Sequence, residues 1–99
     1  MVITFGIQSQ AQTEVPANIN DLFLRYTCNT CHKLDAKLVG PSWKDIAAKG
    51  LKKPEMVKAV YTPDNSRWPG YPPMMAMPQV PQKDVEKMAD WLVKLGKKK

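Results

Sequence analysis

The hydrophobic positions in the last part of the chain recur three and four residues apart. Between residues 82 and 95, charged residues separate the apolar ones, which are Val85, Met88, Trp91, Leu92 and Leu95. An α-helix turns once every ~3.6 residues, so this spacing places them on one face. The pattern predicts an amphipathic helix over residues 82–95, and Gly96 is expected to end it. A short lysine tail follows at residues 97–99.

Three shorter segments show the same helical spacing. The first covers residues 20–27, the second begins with Ser42 as its cap and stops at Gly50, and the third has Pro54 at its first position. Their apolar positions are Leu22, Phe23 and Tyr26, then Trp43, Ile46 and Ala47, then Met56, Val57, Val60 and Tyr61. No segment alternates apolar and polar residues as a strand does. The chain is therefore predicted to be all-α.

A proline-rich loop, residues 62–81, separates the third and last predicted helices. It has prolines at positions 63, 69, 72, 73, 78 and 81. Loops this long are uncommon in compact domains unless they have a function or are disordered. This one carries several bulky apolar side chains, which are Trp68, Tyr71, Met74, Met75 and Met77. We therefore expect it to form a lid packed against an apolar surface.

Length and charge narrow the class of protein. A chain of 99 residues fits one domain with a modest core, and such domains often depend on a covalent or metal staple. Fifteen Lys and Arg against nine Asp and Glu give a net charge of +6, and the surplus comes after residue 32. A basic surface favours an acidic protein partner. Nucleic acid is not expected because the chain has no groove-reading motif, and no apolar run approaches the ~20 residues that span a bilayer.

Both cysteines of the chain and its one histidine stand together, as Cys28, Cys31 and His32. The pattern C-x-x-C-H is typical of c-type haem attachment. The two thiols can add across the vinyl groups of one porphyrin edge, which places the histidine under the iron as the proximal ligand. The alternative is a haem-free dithiol or zinc site. A thioredoxin-like dithiol would need a β-α-β context that is missing, and two cysteines with one histidine are too few for a closed zinc site.

The second axial ligand of such a haem would have to be a residue other than histidine. A methionine thioether is the natural candidate, because it is neutral, soft and favours reduced iron. Met56 and Met88 lie on the apolar faces of predicted helices, where methionine is ordinary core filler. The remaining candidates on the proline-rich loop are Met74, Met75 and Met77, and this reasoning alone does not choose among them.

Several short motifs follow one another between residues 21 and 95. Leu22-Phe23 precedes the C-x-x-C-H motif, and after it come Val39-Gly40-Pro41, the run 44–49, Trp68, Pro73-Met74 and the run 89–92. In these motifs and their order the chain resembles the small bacterial class I monohaem cytochromes c with a Met-Pro-Pro type ligand loop. The resemblance implies a cytochrome c fold, in which four or five short helices wrap around one covalently attached haem c.

The resemblance also implies roles for residues outside the attachment motif. Pro41 is expected to offer its carbonyl oxygen to the free ring nitrogen of His32. Phe23 and Trp91 are expected to meet where the first and last helices cross. Trp68 is expected to lie beside the haem edge and to donate its indole N–H to a propionate.

The family pattern further favours one of the three loop methionines. Its ligand follows a proline and stands five residues before a Gln-Val pair, which in this chain gives Met74. Met77 is the runner-up and Met75 the third choice. Two departures weaken the match: residues 75–77 stand where the family commonly has prolines or small residues, and Pro81 stands where a Ser or Asp cap is usual.

These observations predict a periplasmic or otherwise exported electron carrier, not an enzyme, because an axial methionine blocks the position where oxygen or peroxide would bind. A dedicated electron-accepting subunit of an oxidoreductase complex is the alternative. Residues 1–18 are interpreted as a leader with an extended lead-in, residues 19–96 as the cytochrome domain and residues 97–99 as a basic tail. The apolar run before Ser9-Gln10-Ala11 resembles the end of a secretory signal, although an artificial leader fits as well. We expect a monomer.

Overall fold

The computed structural model describes residues 15–97, which contain helices and no strand. Helix α1 spans Ala17–Arg25, α2 spans Trp43–Ala48, α3 spans Lys53–Tyr61 and α4 spans Gln82–Lys97. Two 3-10 turns, Cys28–Thr30 and Asn65–Arg67, lie in the connections. The all-α prediction is confirmed, whereas the interpretation of residues 1–14, including the leader, lies outside the described residues.

Helix α1 begins earlier and ends earlier than its sequence pattern indicates. Pro16 occupies the N-cap, and its carbonyl oxygen accepts the backbone N–H groups of Ile19 and Asn20 at 3.0 and 2.8 Å. The predicted extended lead-in is therefore wrong over its last two residues, which are helical. The helix stops at Arg25 because Thr27 adopts a left-handed conformation, with φ of 61°. The N–H of Thr27 donates to the carbonyl of Leu24 at 3.2 Å, which satisfies one of the last carbonyl groups of the helix.

Helices α2 and α3 begin with the caps that local chemistry favours. The Ser42 hydroxyl oxygen accepts the backbone N–H of Asp45 at 3.0 Å, which confirms Ser42 as the cap of α2. Gly50 follows the helix with φ of 73°. Helix α3 starts one residue before Pro54, and the Glu55 carboxylate accepts the N–H of the capping residue Lys52 at 3.1 Å.

Helix α4 continues through Gly96, so the prediction that this glycine ends it is wrong. The position needs glycine for a different reason. A Cβ placed there would lie 2.6 Å from the carbonyl oxygen of Ala47, which is too close for any real contact. Gly96 therefore lets the last turn of α4 approach the backbone of α2 closely.

The core forms where α1, α2 and α3 each pack against α4. Phe23, which is 1% exposed, stacks on Trp43 with ring centroids 4.2 Å apart and meets Trp91 edge-to-face at 5.8 Å. The contact between Phe23 and Trp91 that the resemblance implied is thus present. Met56 and Met88 are 6% and 7% exposed, which confirms them as core residues. Among the described residues, no helix has both the length and the apolar character needed to cross a bilayer.

Candidate functional site

The C-x-x-C-H motif lies in a tight turn directly after α1. Cys28 opens the first 3-10 turn, and its carbonyl oxygen accepts the backbone N–H groups of Cys31 and His32 at 3.2 and 3.1 Å. Both cysteines are half-buried free thiols. Burial raises the pKa of the Cys28 thiol, which keeps it protonated near neutral pH. The turn therefore presents two unpaired thiols and an imidazole at positions 28, 31 and 32 of one short segment.

The His32 ring is oriented by its own chain segment. Its Nδ1 lies 2.7 Å from the carbonyl oxygen of Pro41. A carbonyl only accepts, so Nδ1 carries the proton and Nε2 keeps a free lone pair. Burial lowers the pKa of this imidazole, which favours the neutral form that a metal requires. The Trp43 ring packs against the imidazole, with ring centroids 4.6 Å apart.

Gly40 gives the imidazole the space it occupies. A Cβ at this position would lie 2.6 Å from Cε1 and 2.9 Å from Nδ1 of His32. The N–H of Gly40 also bonds the carbonyl of Cys31 at 2.8 Å, which ties this segment back to the motif. The ring is thus seated in a cradle that any side chain at Gly40 would fill.

The three loop methionines have different surroundings. Met77 is half-buried and packs against the hydrophobic core, whereas Met74 and Met75 are 41% and 75% exposed. The backbone N–H of Met74 is held by the side-chain carbonyl of Asn65 at 3.2 Å. The predicted lid is therefore packed on the core at Met77, while Met74 and Met75 remain open to solvent.

Trp68 lies in an aromatic and cationic cluster on the same loop. It meets the edge of Tyr71 with centroids 6.0 Å apart, and the Lys49 ammonium lies 4.7 Å from its ring centroid. The ammonium of Lys37 lies 4.6 Å from the Tyr71 ring centroid. The structure thus brings His32 and Pro41 into contact with each other, whereas Trp68 contacts Tyr71 and Lys49.

Comparison with known proteins shows to which protein family the chain belongs. The family model described as Cytochrome c matches residues 16–96. The chain belongs to the cytochrome c family. It is therefore an electron-carrying protein rather than an enzyme, and its family implies one covalently bound haem c.

Individual relatives of this cytochrome are small bacterial proteins of similar length. It is 32% identical to cytochrome c-551 of Allochromatium vinosum over 91 residues, covering 86% of this chain and 96% of the relative. It is 36% identical to cytochrome c-551 of Ectopseudomonas mendocina over 83 residues, covering 80% and 99%. The crystal structure of Nitrosomonas europaea cytochrome c552 matches with a TM-score of 0.69 and 32% identity, covering 77% of this chain and 98% of that one.

The residues of this cytochrome fit a covalently attached haem. Two free thiols, a neutral imidazole with an available Nε2 and thioethers on a separate loop form the donor set that c-type haem uses. Among the described residues, no cluster of three or more His, Cys, Asp or Glu forms an alternative metal site.

The sequence reasoning missed the hydrogen bonds that four polar side chains make. Asn65 holds the Met74 backbone, and the Tyr61 hydroxyl donates to the Val80 carbonyl at 2.6 Å. The Tyr26 hydroxyl donates at 2.6 Å to the Asp84 carboxylate, which is 8% exposed. Only Asn65 had a local signal, since Asp64-Asn65-Ser66 is a typical turn sequence. The partners of Tyr61 and Tyr26 are distant in sequence.

Proposed function

We propose that this cytochrome carries single electrons between redox partners through one haem c, attached through Cys28 and Cys31 and ligated by His32 and Met74. The observation that carries the proposal is the 2.7 Å hydrogen bond between His32 Nδ1 and the Pro41 carbonyl. It fixes the tautomer and ring orientation that axial ligation through Nε2 needs, and it raises the basicity of that nitrogen. The haem, when bound, supplies an iron that alternates between the ferric and ferrous states.

The covalent attachment has a direct test. The protein is expressed with a c-type maturation system and then extracted with acidified acetone. We expect the haem to remain with the polypeptide in the wild-type protein and to be extracted from the Cys28→Ser/Cys31→Ser double variant. Extraction of the haem from the wild type would overturn the attachment.

The choice of Met74 rests on the environments of the three sulfurs. Met77 packs against the core, which gives its side chain a structural role. Met75 is the most exposed of the three. Met74 is less exposed than Met75, follows Pro73, and has a backbone N–H anchored by Asn65. Anchoring reduces the conformational entropy that ligation must overcome.

Replacing each methionine tests the assignment. We expect Met74→Ala to abolish the methionine-to-iron charge-transfer band of the oxidised protein. Met75→Ala and Met77→Ala should retain it and serve as matched controls. Loss of the band in Met77→Ala with retention in Met74→Ala would make Met77 the ligand.

We propose that the basic surface guides docking with an acidic redox partner. The chain carries a net charge of +6, and its lysines after the motif include Lys33, Lys37, Lys44, Lys49, Lys52 and Lys53. Opposite charges accelerate encounter, and salt screens that effect over a Debye length of ~8 Å at physiological ionic strength. Electron transfer with an acidic partner should therefore slow steeply as salt is added. A complex that persists at high salt would indicate a dedicated subunit of an oxidoreductase.

We further propose that the protein is exported and monomeric, with the haem domain spanning residues 19–96. The apolar run ahead of Ser9-Gln10-Ala11 supports export. Cell fractionation and sedimentation of the haem-bearing protein test these two points. Recovery in the cytoplasmic fraction, or sedimentation as a dimer, would contradict them.

A further inference from the structure

Asn65 connects the second 3-10 turn to two residues of the proline-rich loop. Its side-chain carbonyl oxygen accepts the N–H of Met74 at 3.2 Å, and its backbone carbonyl accepts the N–H of Trp68 at 3.1 Å. The turn is itself held by Asp64, whose carboxylate accepts the N–H and the hydroxyl of Ser66 at 3.1 and 2.6 Å. These hydrogen bonds hold the Asp64 carboxylate in its charged form, which lowers its pKa. Asn65 thus links a braced turn to the backbone of Met74.

Helix α3 holds the loop on the other side of Met74. The carbonyl of Val60 accepts the N–H of Met77 at 2.9 Å, and the Tyr61 hydroxyl donates to the carbonyl of Val80 at 2.6 Å. Val80 is 3% exposed, so water cannot easily replace the Tyr61 hydroxyl as its partner. Only two residues separate the tied amides of Met74 and Met77. The backbone between the ties therefore has few conformations available.

We propose that Asn65 and Tyr61 are positioning residues, which hold residues 74–77 so that the Met74 sulfur remains on the iron. This inference rests on the proposed ligation by Met74. Each tie favours the ligated arrangement of the loop over arrangements in which the sulfur has moved away. An external ligand can bind the iron only when the Met74 sulfur has moved away. The apparent affinity of that ligand therefore reports the population of the arrangements without the sulfur on the iron.

Imidazole titration of the ferric protein measures this population. Asn65→Leu keeps the approximate size of the side chain but removes the acceptor for the Met74 N–H, and Tyr61→Phe removes only the hydroxyl. We expect each variant to bind imidazole about two- to tenfold more tightly than the wild type, the factor that one net hydrogen bond supplies. Asn65→Asp retains an acceptor oxygen and should restore the wild-type affinity.

Two variants separate positioning from general loss of stability. Thr62→Val removes an exposed hydrogen bond from Thr62 Oγ1 to the Lys58 carbonyl, at the end of α3. Tyr26→Phe removes a 2.6 Å hydroxyl hydrogen bond between α1 and α4, away from the loop. Both should leave the imidazole affinity unchanged, even where the unfolding midpoint falls.

The outcomes distinguish this inference from the proposed ligand. If Met74→Ala abolishes the charge-transfer band but Asn65→Leu and Tyr61→Phe bind imidazole as the wild type does, the positioning role is overturned and the ligand stands. The same holds if the two control variants raise the affinity equally. If Met74→Ala retains the band, the ligand assignment and the positioning role both fail.

Discussion

Single residues near the C-x-x-C-H motif adopt conformations that their neighbours require. The left-handed Thr27 stands immediately before Cys28, with its hydroxyl donating to the Tyr26 carbonyl at 2.6 Å. A β-branched residue in this region is strained, because its Cβ approaches the backbone too closely. Gly40 illustrates the opposite case, since its missing side chain makes room for the His32 ring. Position 27 therefore holds a residue that is strained in its conformation, whereas position 40 holds the one residue type that leaves room for the imidazole.

Thr27→Gly should stabilise the protein. Glycine adopts the left-handed conformation at the end of α1 without the strain that a Cβ brings, which is worth about 1 kcal/mol. We expect a higher midpoint in guanidinium unfolding of the haem-bearing protein with an unchanged slope. Thr27→Ala retains the Cβ and serves as the control. A gain in Thr27→Ala equal to that in Thr27→Gly would contradict the strain argument.

Gly40→Ala should disturb the imidazole directly. The added methyl would overlap the His32 ring, so either the ring or the backbone must move, at a cost of about 1–3 kcal/mol. We expect a lower free energy of unfolding and a changed His32 ring signal in the NMR spectrum of the reduced protein. If the free energy of unfolding and the His32 ring signal of Gly40→Ala both match the wild type, the added methyl is accommodated without disturbing the imidazole.

At the scale of helices, the organisation depends on α4. The periodicity of this helix, its apolar face and the cap at Ser42 were predictable, because neighbours within a few residues determine them. The start of α1 was not, since the pattern of apolar residues begins later than the capping carbonyl of Pro16. The role of Gly96 was also hidden, because its neighbour Ala47 is distant in sequence.

The same limit applied to the candidate site. The two thiols and the histidine could be read from their spacing, but the hydrogen bonds from Asn65 and Tyr61 could not. These ties join separate elements, and their partners become neighbours only after the chain has folded.

Gly96→Ala should weaken the packing of α2 on α4. The new Cβ meets a backbone carbonyl, which cannot rotate away as a flexible side chain can, so the helices must separate. The expected loss is about 1–3 kcal/mol in the free energy of unfolding. Lys94→Ala changes an exposed residue of the same helix and should have little effect. A neutral or stabilising Gly96→Ala, as helix propensity alone would give, would refute the close approach.

The hydrogen bond between Tyr26 and Asp84 should make stability sensitive to alkaline pH. Hydrogen bonding to Asp84, and then burial, raises the pKa of the Tyr26 hydroxyl above its ordinary value of about 10. The unfolded chain therefore ionises this tyrosine first, and its contribution to stability is present below pH ~10 and lost as the pH rises towards the folded pKa. The wild-type unfolding midpoint should fall more steeply in that range than that of Tyr26→Phe. If the unfolding midpoints of the two proteins fall in parallel with pH, Tyr26 is not the cause of the alkaline sensitivity.

At the scale of the whole molecule, the described chain has a small core and several large apolar side chains that are exposed. Leu38, Val39, Met74 and Met75 are each more than two-fifths exposed. A domain of this size gains much of its stability from any group that binds only the folded state. The haem is expected to supply that stabilisation.

Chains made without haem attachment should therefore be far less ordered. We expect the Cys28→Ser/Cys31→Ser variant, freed of haem, to lose most of its helical circular dichroism and its cooperative thermal transition. A Met74→Ala protein with attached haem is the matched control, because it loses one ligand but keeps the covalent link. Native-like helicity in the haem-free variant would show that the polypeptide core suffices.

The packing of α1, α2 and α3 on α4 also has a consequence for biogenesis. Synthesis proceeds from the N-terminus, so the ribosome releases these three helices before their common partner exists. Cys28 and Cys31, which follow α1, belong to the part of the chain that is made before α4. The segment around both thiols therefore has no complete core to pack on until residues 82–97 have been made.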